Sequence, residues 1–508
     1  MKRAILSIVL LTAFFTARPA SAASTQLLVQ SNLTAPVMNL LCLLRGCQVS
    51  RTITGSPSNF FVVSTSSNAN FLANVLGSIP GILNVTVLSG GQNPLGNRYI
   101  VRTTGGLLNL QSICLLNLCQ ILGPIDGGLN QVFLIGGPGN RDPNLILALL
   151  RIVPGVLNAE LDQLVTIATG GATATTAPPS LVDTTPVQYY GSTVWRGYVN
   201  QPATQIIRLA QAQQGYGVTG SGVIADIDTG VDTNHPVLKP ILLQGYDFTR
   251  NQAGASEMND LPGGAPTTEA PCPNCTPGDV NQHSIAMVDQ HSIAMVDGPQ
   301  YADFGHGTMV AGVLHLVAPT AKILPLKAFD ADGTGNLSDI IRAIYYAQAQ
   351  KVNVVNMSFD ITSASSELAT AVTSAEKQGI IFVASSGNDG KMEMVYPAGL
   401  TNVMGVASTN FQDQRSSFSN YGNQIVWVAA PGEAIVTTYP FGTYAAVWGT
   451  SFSAPMVSGG VSLMQGKHPG MTQWQAQLNM AQAQMLLAVG MGNGRIDLSR
   501  AIAASASH

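Results

Sequence analysis

The chain has 508 residues, of which 23 are Lys or Arg and 27 are Asp or Glu, giving a formal net charge of −4. This length predicts about two to four domains, because a domain usually spans about 100 to 200 residues. The small net charge provides no long-range field to attract nucleic acid or an anionic membrane, so neither is expected as a partner. Hydrophobic residues make up 46% of the chain, which excludes intrinsic disorder as its dominant state.

The first 22 residues have the pattern of a secretory signal. Lys2-Arg3 precedes an apolar run from Ala4 to Phe15, and Ala20-Ser21-Ala22 offers a cleavage site made of small residues. The apolar run is short of the roughly 20 residues that a membrane-spanning helix needs. We therefore predict a signal peptide at 1–22 and export of the remaining chain, either to the extracellular space or to a periplasm.

The six cysteines fall into three close pairs: Cys42 and Cys47, Cys114 and Cys119, and Cys272 and Cys275. In an exported protein such pairs favour disulfides. For the third pair a zinc site stays open as an alternative, because His283 and His291 follow it, although their spacing does not match that of a zinc finger.

A duplication is visible before residue 168. Cys42 and Cys47 recur 72 residues later as Cys114 and Cys119, and Pro-Gly-Ile-Leu-Asn at 80–84 recurs as Pro-Gly-Val-Leu-Asn at 154–158. We predict two ferredoxin-like α+β units at 23–95 and 96–168, each with the order β-α-β-β-α-β. In the second unit the first helix is expected over Leu107 to Leu118.

Residues 169–189 are rich in Gly, Ala, Thr and Pro and lack apolar periodicity, so we predict an exposed linker there. In residues 190–508, short apolar strands alternate with amphipathic helices, the last long one expected over Thr472 to Val489. This alternation predicts an α/β domain with a doubly wound parallel sheet covered on both faces. Residues 251–300 interrupt the pattern and are expected to form a surface loop.

Three segments of this domain carry the residue types of nucleophilic catalysis. Asp228-Thr229-Gly230 ends a predicted strand, His306-Gly307-Thr308 begins a helix, and Gly449-Thr450-Ser451 begins another. A serine is a weak nucleophile unless an imidazole takes its proton and a carboxylate holds that imidazole. Asn388, after a further strand, can donate an amide N–H to an oxyanion. All four lie where strands end or helices begin, which is where α/β active sites usually form.

These segments resemble those of the subtilisin-like serine peptidases, whose catalytic residues follow the order Asp, His, Ser. The resemblance covers about residues 190–503. It implies that Asp228 orients the histidine, that His306 is the general base and acid, and that Ser451 is the nucleophile. Asn388 and the backbone amide of Ser451 would then form the oxyanion hole.

The resemblance also implies two segments that flank an extended substrate: Gly333, Thr334 and Gly335, and Ser358, Phe359 and Asp360. In the family, the positions matching Asp360 and Asp389 border the pocket for the residue preceding the cut. Many relatives have glycine at the position of Asp360, so a carboxylate there predicts a preference for basic residues. The alternative, that both aspartates face solvent or cap local turns, stays open.

The two N-terminal units resemble the inhibitory propeptide of the same family, which would make the propeptide a partner of the catalytic domain. Residues 313–319 leave no room for the calcium loop that many relatives have after the histidine. We therefore assign no metal site and expect no cofactor for catalysis, while a structural calcium elsewhere stays open.

The sequence thus predicts a secreted serine endopeptidase that acts on polypeptides and is made as a self-inhibited zymogen. One alternative is a catalytically inactive scaffold whose N-terminal units bind or inhibit other proteases. An esterase of the Gly-x-Ser-x-Gly type is excluded, because Ser451 lies in Gly-Thr-Ser with Asp and His both upstream. A zinc peptidase would need His-Glu-x-x-His, which the sequence lacks.

Overall fold

The computed structural model describes residues 25–53, 59–65, 69–88, 97–104, 119–137, 142–167, 178–261, 285–288 and 299–506. Three predicted features lie outside the described residues: the signal at 1–22, the helix Leu107 to Leu118, and the loop segment with Cys272 and Cys275. Within the described ranges, no helix combines the length and the apolar character needed to cross a bilayer.

The first N-terminal unit is a four-stranded antiparallel sheet packed against two helices. In chain order its elements are Thr25–Ser31, Ala35–Arg45, Gln48–Ile53, Asn59–Thr65, Ala69–Gly77 and Ile82–Leu88. The first strand lies in the interior of the sheet, between the third and the fourth. Leu27, Phe61 and Leu76 lie in a small core that this unit forms by itself.

The cysteines of the first unit correct one prediction, because Cys42 and Cys47 are both free thiols rather than a disulfide. The helix ends at Gly46 in a left-handed conformation, and the backbone N–H of Cys47 donates to the Cys42 carbonyl oxygen at 2.9 Å. A hydrogen bond between the two thiols raises the pKa of Cys42 and lowers the pKa of Cys47. Close spacing in the sequence brings the sulfurs together but does not decide their oxidation state. In the second unit, Cys119 is disulfide-bonded.

The second N-terminal unit has the same arrangement of strands. Its described elements are Arg98–Thr103, Gln120–Pro124, Val132–Gly136, Pro143–Arg151 and Val156–Leu161. One face of its sheet packs on its own helix through Tyr99 and Phe133. The other face contributes Ile100 and Leu134 to a core shared with the following domain.

The large domain is built on an eight-stranded sheet that is parallel except for one pair at its edge. In spatial order its strands are Gln252–Ala253, Tyr246–Asp247, Lys322–Lys327, Val223–Asp228, Val354–Met357, Ile381–Ser385, Met404–Thr409 and Val428–Pro431. The chain leaves the strand Val223–Asp228 to form neighbours on both of its sides. This order confirms the predicted doubly wound α/β sheet.

Helices cover both faces of this sheet. Alternate strand residues point to opposite sides, so each strand packs against both helix layers. Ile224 faces the layer that contains the helices His306–Val317 and Thr450–Gln465. Ala225 and Ile227 face the layer that contains the helices Leu337–Ala349 and Ser366–Glu376. The second N-terminal unit packs on this second helix layer.

The helix expected over Thr472 to Val489 is wrong in its second half. The structure ends that helix at Met480, and Gln484 then exchanges two backbone hydrogen bonds with Arg495, at 2.7 and 2.9 Å. From 485 to 489 every second side chain is exposed, while those of 486 and 488 pack against the core. The segment has helix-forming residues, but the bridge between Gln484 and Arg495 ends the helix, and residues 487–489 form bends and a turn.

The remaining described elements are short. The strands are Leu164–Thr166, Pro186–Tyr189, Ser192–Trp195, Ile285–Val288, Thr334–Asn336, Ile435–Tyr439 and Thr443–Val447. The helices are Pro179–Val182, Arg196–Val199, Pro202–Ile206, Leu209–Tyr216, Gln473–Met480 and Leu498–Ser505, with 3-10 turns at Glu257–Asp260 and Pro299–Tyr301.

Candidate active site

The candidate site lies at the carboxyl edge of the eight-stranded sheet. Asp228 ends a central strand, and Asn388 follows a neighbouring strand. His306 and Ser451 lie in the first turns of two helices on the same layer. Because the strands are parallel, their carboxyl ends share one edge, and the residues predicted from the sequence are gathered there.

Asp228 and His306 form a buried pair, with His306 Nδ1 2.8 Å from Asp228 Oδ1. The backbone N–H of Thr229 donates to the same carboxylate oxygen at 2.7 Å. Burial alone would lower the pKa of His306, but the Asp228 carboxylate opposes it, and the net shift of this pKa is upward. The carboxylate therefore orients the imidazole and stabilises its protonated form.

Glycine is required where these two segments meet. A Cβ atom on Gly307 would lie 1.9 Å from the carbonyl oxygen of Gly230. Gly230 itself has a φ of +99°, in the region that favours glycine. The Asp-Thr-Gly and His-Gly-Thr motifs thus allow the backbone approach that brings the carboxylate to the imidazole.

The Ser451 hydroxyl donates to the Ser358 carbonyl oxygen at 3.2 Å, and the Ser358 hydroxyl donates back to the Ser451 carbonyl oxygen at 2.9 Å. The His306 ring packs against Phe452, with centroids 5.5 Å apart. His306 Nε2 has no hydrogen-bond partner among the described residues. The structure therefore joins Asp228 to His306 but does not form the Ser451–His306 bond, a link that often tightens only when substrate binds.

The side-chain oxygen of Asn388 binds the residue before Ser451. Its Oδ1 accepts from the Thr450 backbone N–H and from the Thr450 hydroxyl, both at 2.9 Å. Because the oxygen is committed to the residue before Ser451, the Nδ2 group is the donor end of the amide. This geometry suits a donor to an oxyanion formed at the nucleophile.

The segment Gly333, Thr334 and Gly335 is already paired with a strand of the same chain. Leu164–Thr166 runs antiparallel to Thr334–Asn336, and the Ile167 backbone N–H donates to the Gly333 carbonyl oxygen at 2.9 Å. The strand that follows the second N-terminal unit therefore occupies the position predicted for an extended substrate.

Two carboxylates of the second unit cap helices of the large domain. Asp162 accepts from the Ser338 backbone N–H at 2.8 Å, at the start of Leu337–Ala349. Glu160 accepts from the Ser366 backbone N–H at 3.0 Å, at the start of Ser366–Glu376. In both positions the carboxylate accepts from a first-turn N–H group that lacks a partner within the helix.

Ion pairs reinforce this interface. Arg102 pairs with Glu367 at 2.7 Å across it, and Arg98, within the second unit, pairs with Asp162 at 2.5 Å.

The second flanking segment places Phe359 and Asp360 differently. Phe359 is buried, with its ring centroid 5.1 Å from that of Phe329. Asp360 is half-buried, and its Oδ2 accepts no hydrogen bond within the described part of the chain. Burial, and then the charges of Asp389 and Glu393, raise the pKa of Asp360 to about 7.

Three buried carboxylates near the pair were not predicted from the sequence. Burial and the nearby Asp228 raise the pKa of Asp226 well above its ordinary value. Burial also raises the pKa of Asp303 to about 7 and the pKa of Glu257 to about 8. Asp226 carries a signal, since it is a charged residue inside an apolar strand. Asp303 and Glu257 lie in irregular segments that no motif marks. Among the residues described, no group of three or more His, Cys, Asp or Glu side chains could hold a metal ion.

Comparisons with known proteins show the family of the large domain. Residues 220–494, more than half of the chain, match the model of the subtilase family of peptidases. Thermitase of Thermoactinomyces vulgaris is 35% identical over 256 residues, covering 50% of this chain and 79% of that protein. Subtilisin BL of Lederbergia lenta is 32% identical over 276 residues, covering 52% and 84%.

A solved structure described as a lanthipeptide protease aligns with a TM-score of 0.47 and 21% identity, covering 60% of this chain and 94% of that one. The family match and the relatives concern the domain that carries Asp228, His306 and Ser451. The chain belongs to the subtilase family of serine peptidases and acts on polypeptides.

Proposed function

We propose that this peptidase is a secreted endopeptidase, made as a precursor that its second N-terminal unit inhibits. The observation that carries the proposal is the strand Leu164–Thr166, which lies antiparallel on Thr334–Asn336 in the domain that holds the Asp228–His306 pair. A substrate that adds a strand to this edge must be extended, and backbone hydrogen bonds would bind it largely independently of its side chains.

In the acylation step, Ser451 Oγ attacks the scissile carbonyl carbon while His306 Nε2 takes the hydroxyl proton. The carbonyl oxygen becomes an oxyanion, stabilised by the Asn388 side-chain amide and the Ser451 backbone N–H. When the carbon–nitrogen bond breaks, His306 returns the proton to the leaving amine. Asp228 stabilises the imidazolium through its contact with His306 Nδ1.

In the deacylation step, water attacks the acyl-enzyme ester and His306 takes a proton from that water. The second tetrahedral intermediate collapses, the proton moves to Ser451 Oγ, and the carboxylic acid product leaves. The raised pKa of His306 supports this role, because it makes the imidazole a stronger base.

Inhibition in the precursor would follow from competition for the same edge. The second unit is held by a shared apolar core, by helix caps from Asp162 and Glu160, and by Arg102. These contacts position Leu164–Thr166 where a substrate would bind. We place the activating cut within residues 168–190, and the burial of Leu181 in the core of the large domain favours the first half of that range.

The proposal is tested by treating the secreted protein with a fluorophosphonate that labels activated serines, and mapping the adduct by mass spectrometry. We expect one adduct, on Ser451, that forms faster after removal of residues 25–167. His306→Ala, which keeps the serine but removes its base, should lose the labelling. Absence of labelling in the processed protein would instead favour an inactive scaffold whose N-terminal units are the working part.

A further inference from the structure

We propose that Glu257 is a positioning residue for catalysis, which holds the Asp228 segment and the His306 segment in register from a third part of the chain. The inference deepens the proposed peptidase function and rests on it. Glu257 begins a 3-10 turn after the edge strands of the sheet, and its side chain is fully buried.

Three donors converge on this carboxylate. Its Oε2 accepts from the Thr229 hydroxyl at 3.2 Å and from the Gly305 backbone N–H at 3.0 Å. Its Oε1 accepts from the Thr308 hydroxyl. Thr229 directly follows Asp228, whereas Gly305 directly precedes His306. One side chain therefore binds the neighbours of both members of the catalytic pair.

The donors are themselves connected. The Thr229 hydroxyl accepts from the Gly307 backbone N–H at 3.0 Å, which ties the aspartate segment to the residue after His306. The Thr308 hydroxyl accepts from the Asp232 backbone N–H at 2.7 Å, which ties the histidine helix back to the aspartate loop. Without Glu257, both hydroxyls and the Gly305 N–H would lose a buried acceptor.

This arrangement bears on rate because small displacements of catalytic groups are costly. A misplacement of about 1 Å can reduce catalysis on the order of 10²-fold. The 2.8 Å contact between His306 and Asp228 joins two segments, and Glu257 binds on both sides of it. Removing the carboxylate is expected to loosen that contact.

A glutamine should replace this glutamate. Its carbonyl oxygen can accept from Thr229 and Gly305, which keeps both segments bound, while its NH2 group reverses the third bond and donates to the Thr308 hydroxyl oxygen. Burial raises the pKa of Glu257 to about 8, against the Thr308 hydrogen bond and the charge of Lys327. Burial therefore disfavours the ionised form of Glu257, and the glutamine amide carries no charge to bury.

The first measurement is the rate at which the full-length precursor cuts itself. This reaction is intramolecular, so its rate does not include binding of a substrate from solution. We expect Glu257→Ala to slow it about 100-fold and Glu257→Gln to stay within a few-fold of the unmodified chain. Gln473→Ala is the matched control. It removes a buried side chain that bonds the Phe382 backbone N–H at 2.7 Å, at the amino end of its strand and away from the site.

The second measurement does not depend on activity. In a Ser451→Ala precursor, the proton shared by His306 Nδ1 and Asp228 should give a low-field NMR resonance. We expect Glu257→Ala to shift or broaden this resonance, whereas Glu257→Gln and Gln473→Ala retain it.

The proposal is overturned if Glu257→Ala processes at the unmodified rate, slows no more than Gln473→Ala, or leaves the resonance unchanged. A slow Glu257→Gln variant with an intact resonance would also overturn it, because the carboxylate would then act other than by positioning. If the unmodified precursor does not cut itself, the proposed self-processing fails, while the resonance still decides the role of Glu257.

Discussion

At the scale of single residues, the Asn388 side-chain oxygen accepts two hydrogen bonds from Thr450, the residue before Ser451. We predict that Asn388→Ala folds but loses roughly 10² to 10³ in kcat, because one oxyanion donor disappears. KM for a peptide should change little, since the interaction forms mainly in the transition state. Steady-state kinetics on the processed enzyme measures both, and an unchanged kcat would remove Asn388 from the site.

We predict that the preference for a basic residue before the cut depends on Asp360. Its carboxyl has a pKa of about 7 in the free site, because burial and neighbouring carboxylates disfavour its ionised form. Since the raised pKa leaves the group neutral below about 7 and charged above it, attraction for a basic substrate side chain should grow as pH rises. We predict that kcat/KM for Arg relative to Leu, before the cut, increases across this range.

Asp360→Asn is the matched control for that prediction, because it keeps the shape of the side chain and removes the charge. The Arg-to-Leu ratio should then become independent of pH, and Asp360→Gly should favour large apolar residues. Asp389 is exposed and lies 3.4 Å from the Asn420 amide, so its removal should matter less. A higher kcat/KM for Leu or Phe than for Arg in the unmodified enzyme would end the proposal.

At the scale of elements, the two N-terminal units contact the large domain in different ways. The second unit shares a core with it and caps two of its helices. The first unit contacts the 3-10 turn at 257–260 and the segment before it. Gln48 Nε2 donates to the Asn259 and Asp260 carbonyl oxygens, each at 3.0 Å. The Thr52 N–H donates to the Thr249 carbonyl oxygen at 2.5 Å. Among the described residues, no side chain of the first unit belongs to either core of the large domain.

We therefore predict that deleting residues 25–95 leaves the precursor inhibited. The strand Leu164–Thr166 and the helix caps all belong to what remains. The deleted chain should require processing before it cleaves a peptide, and its secreted yield should fall if the first unit assists folding. Activity of the uncut deletion variant against a fluorogenic peptide would assign inhibition to the first unit instead.

We predict that Glu160 makes release of the second unit sensitive to pH. Burial, and the charge of Glu367 across the interface, raise its pKa in the docked state despite the Ser365 hydrogen bond. A released unit would expose this carboxyl and return its pKa to about 4.3. Docking therefore takes up a proton. The second unit binds the large domain most strongly below the pKa of the released carboxyl, and binding weakens as pH rises through the raised pKa of the docked carboxyl.

The measurement is the dissociation rate of the processed but still associated protein as a function of pH. We expect the rate to rise from mildly acidic to neutral pH, and Glu160→Gln, which cannot ionise, to flatten this rise. Burial also raises the pKa of Asp162, which therefore changes the dissociation rate with pH in the same direction. Part of the pH dependence should thus remain in Glu160→Gln. A dissociation rate that falls with rising pH would contradict the assignment.

At the scale of the whole molecule, the sheet, its two helix layers and the second unit are continuous through shared apolar cores. Much of this was predictable, because near-continuous apolar strands separated by helices indicate a covered parallel sheet. Asp228, Asn388, His306 and Ser451 were identifiable for a related reason. Each follows a strand or begins a helix, and the topology gathers such positions at one edge.

Other features depend on tertiary contacts that no local pattern records. Glu257 lies in an irregular turn, and its importance appears only when Thr229 and Thr308 approach it. The segment 485–489 resembles a helix by composition, but it is irregular because Gln484 pairs with Arg495. The state of Cys42 and Cys47 likewise depends on redox chemistry and not on their spacing.

The central claim is that Ser451 cuts its own chain to release the enzyme. Its most direct test is to express the unmodified precursor and Ser451→Ala in a host without helper proteases, and to determine the N-termini and masses of the products. The unmodified chain should be cut within residues 168–190. Ser451→Ala should stay whole, because loss of the nucleophile costs on the order of 10⁶ in kcat, and should be cut only when active enzyme is added. Normal maturation of Ser451→Ala by itself would contradict the account.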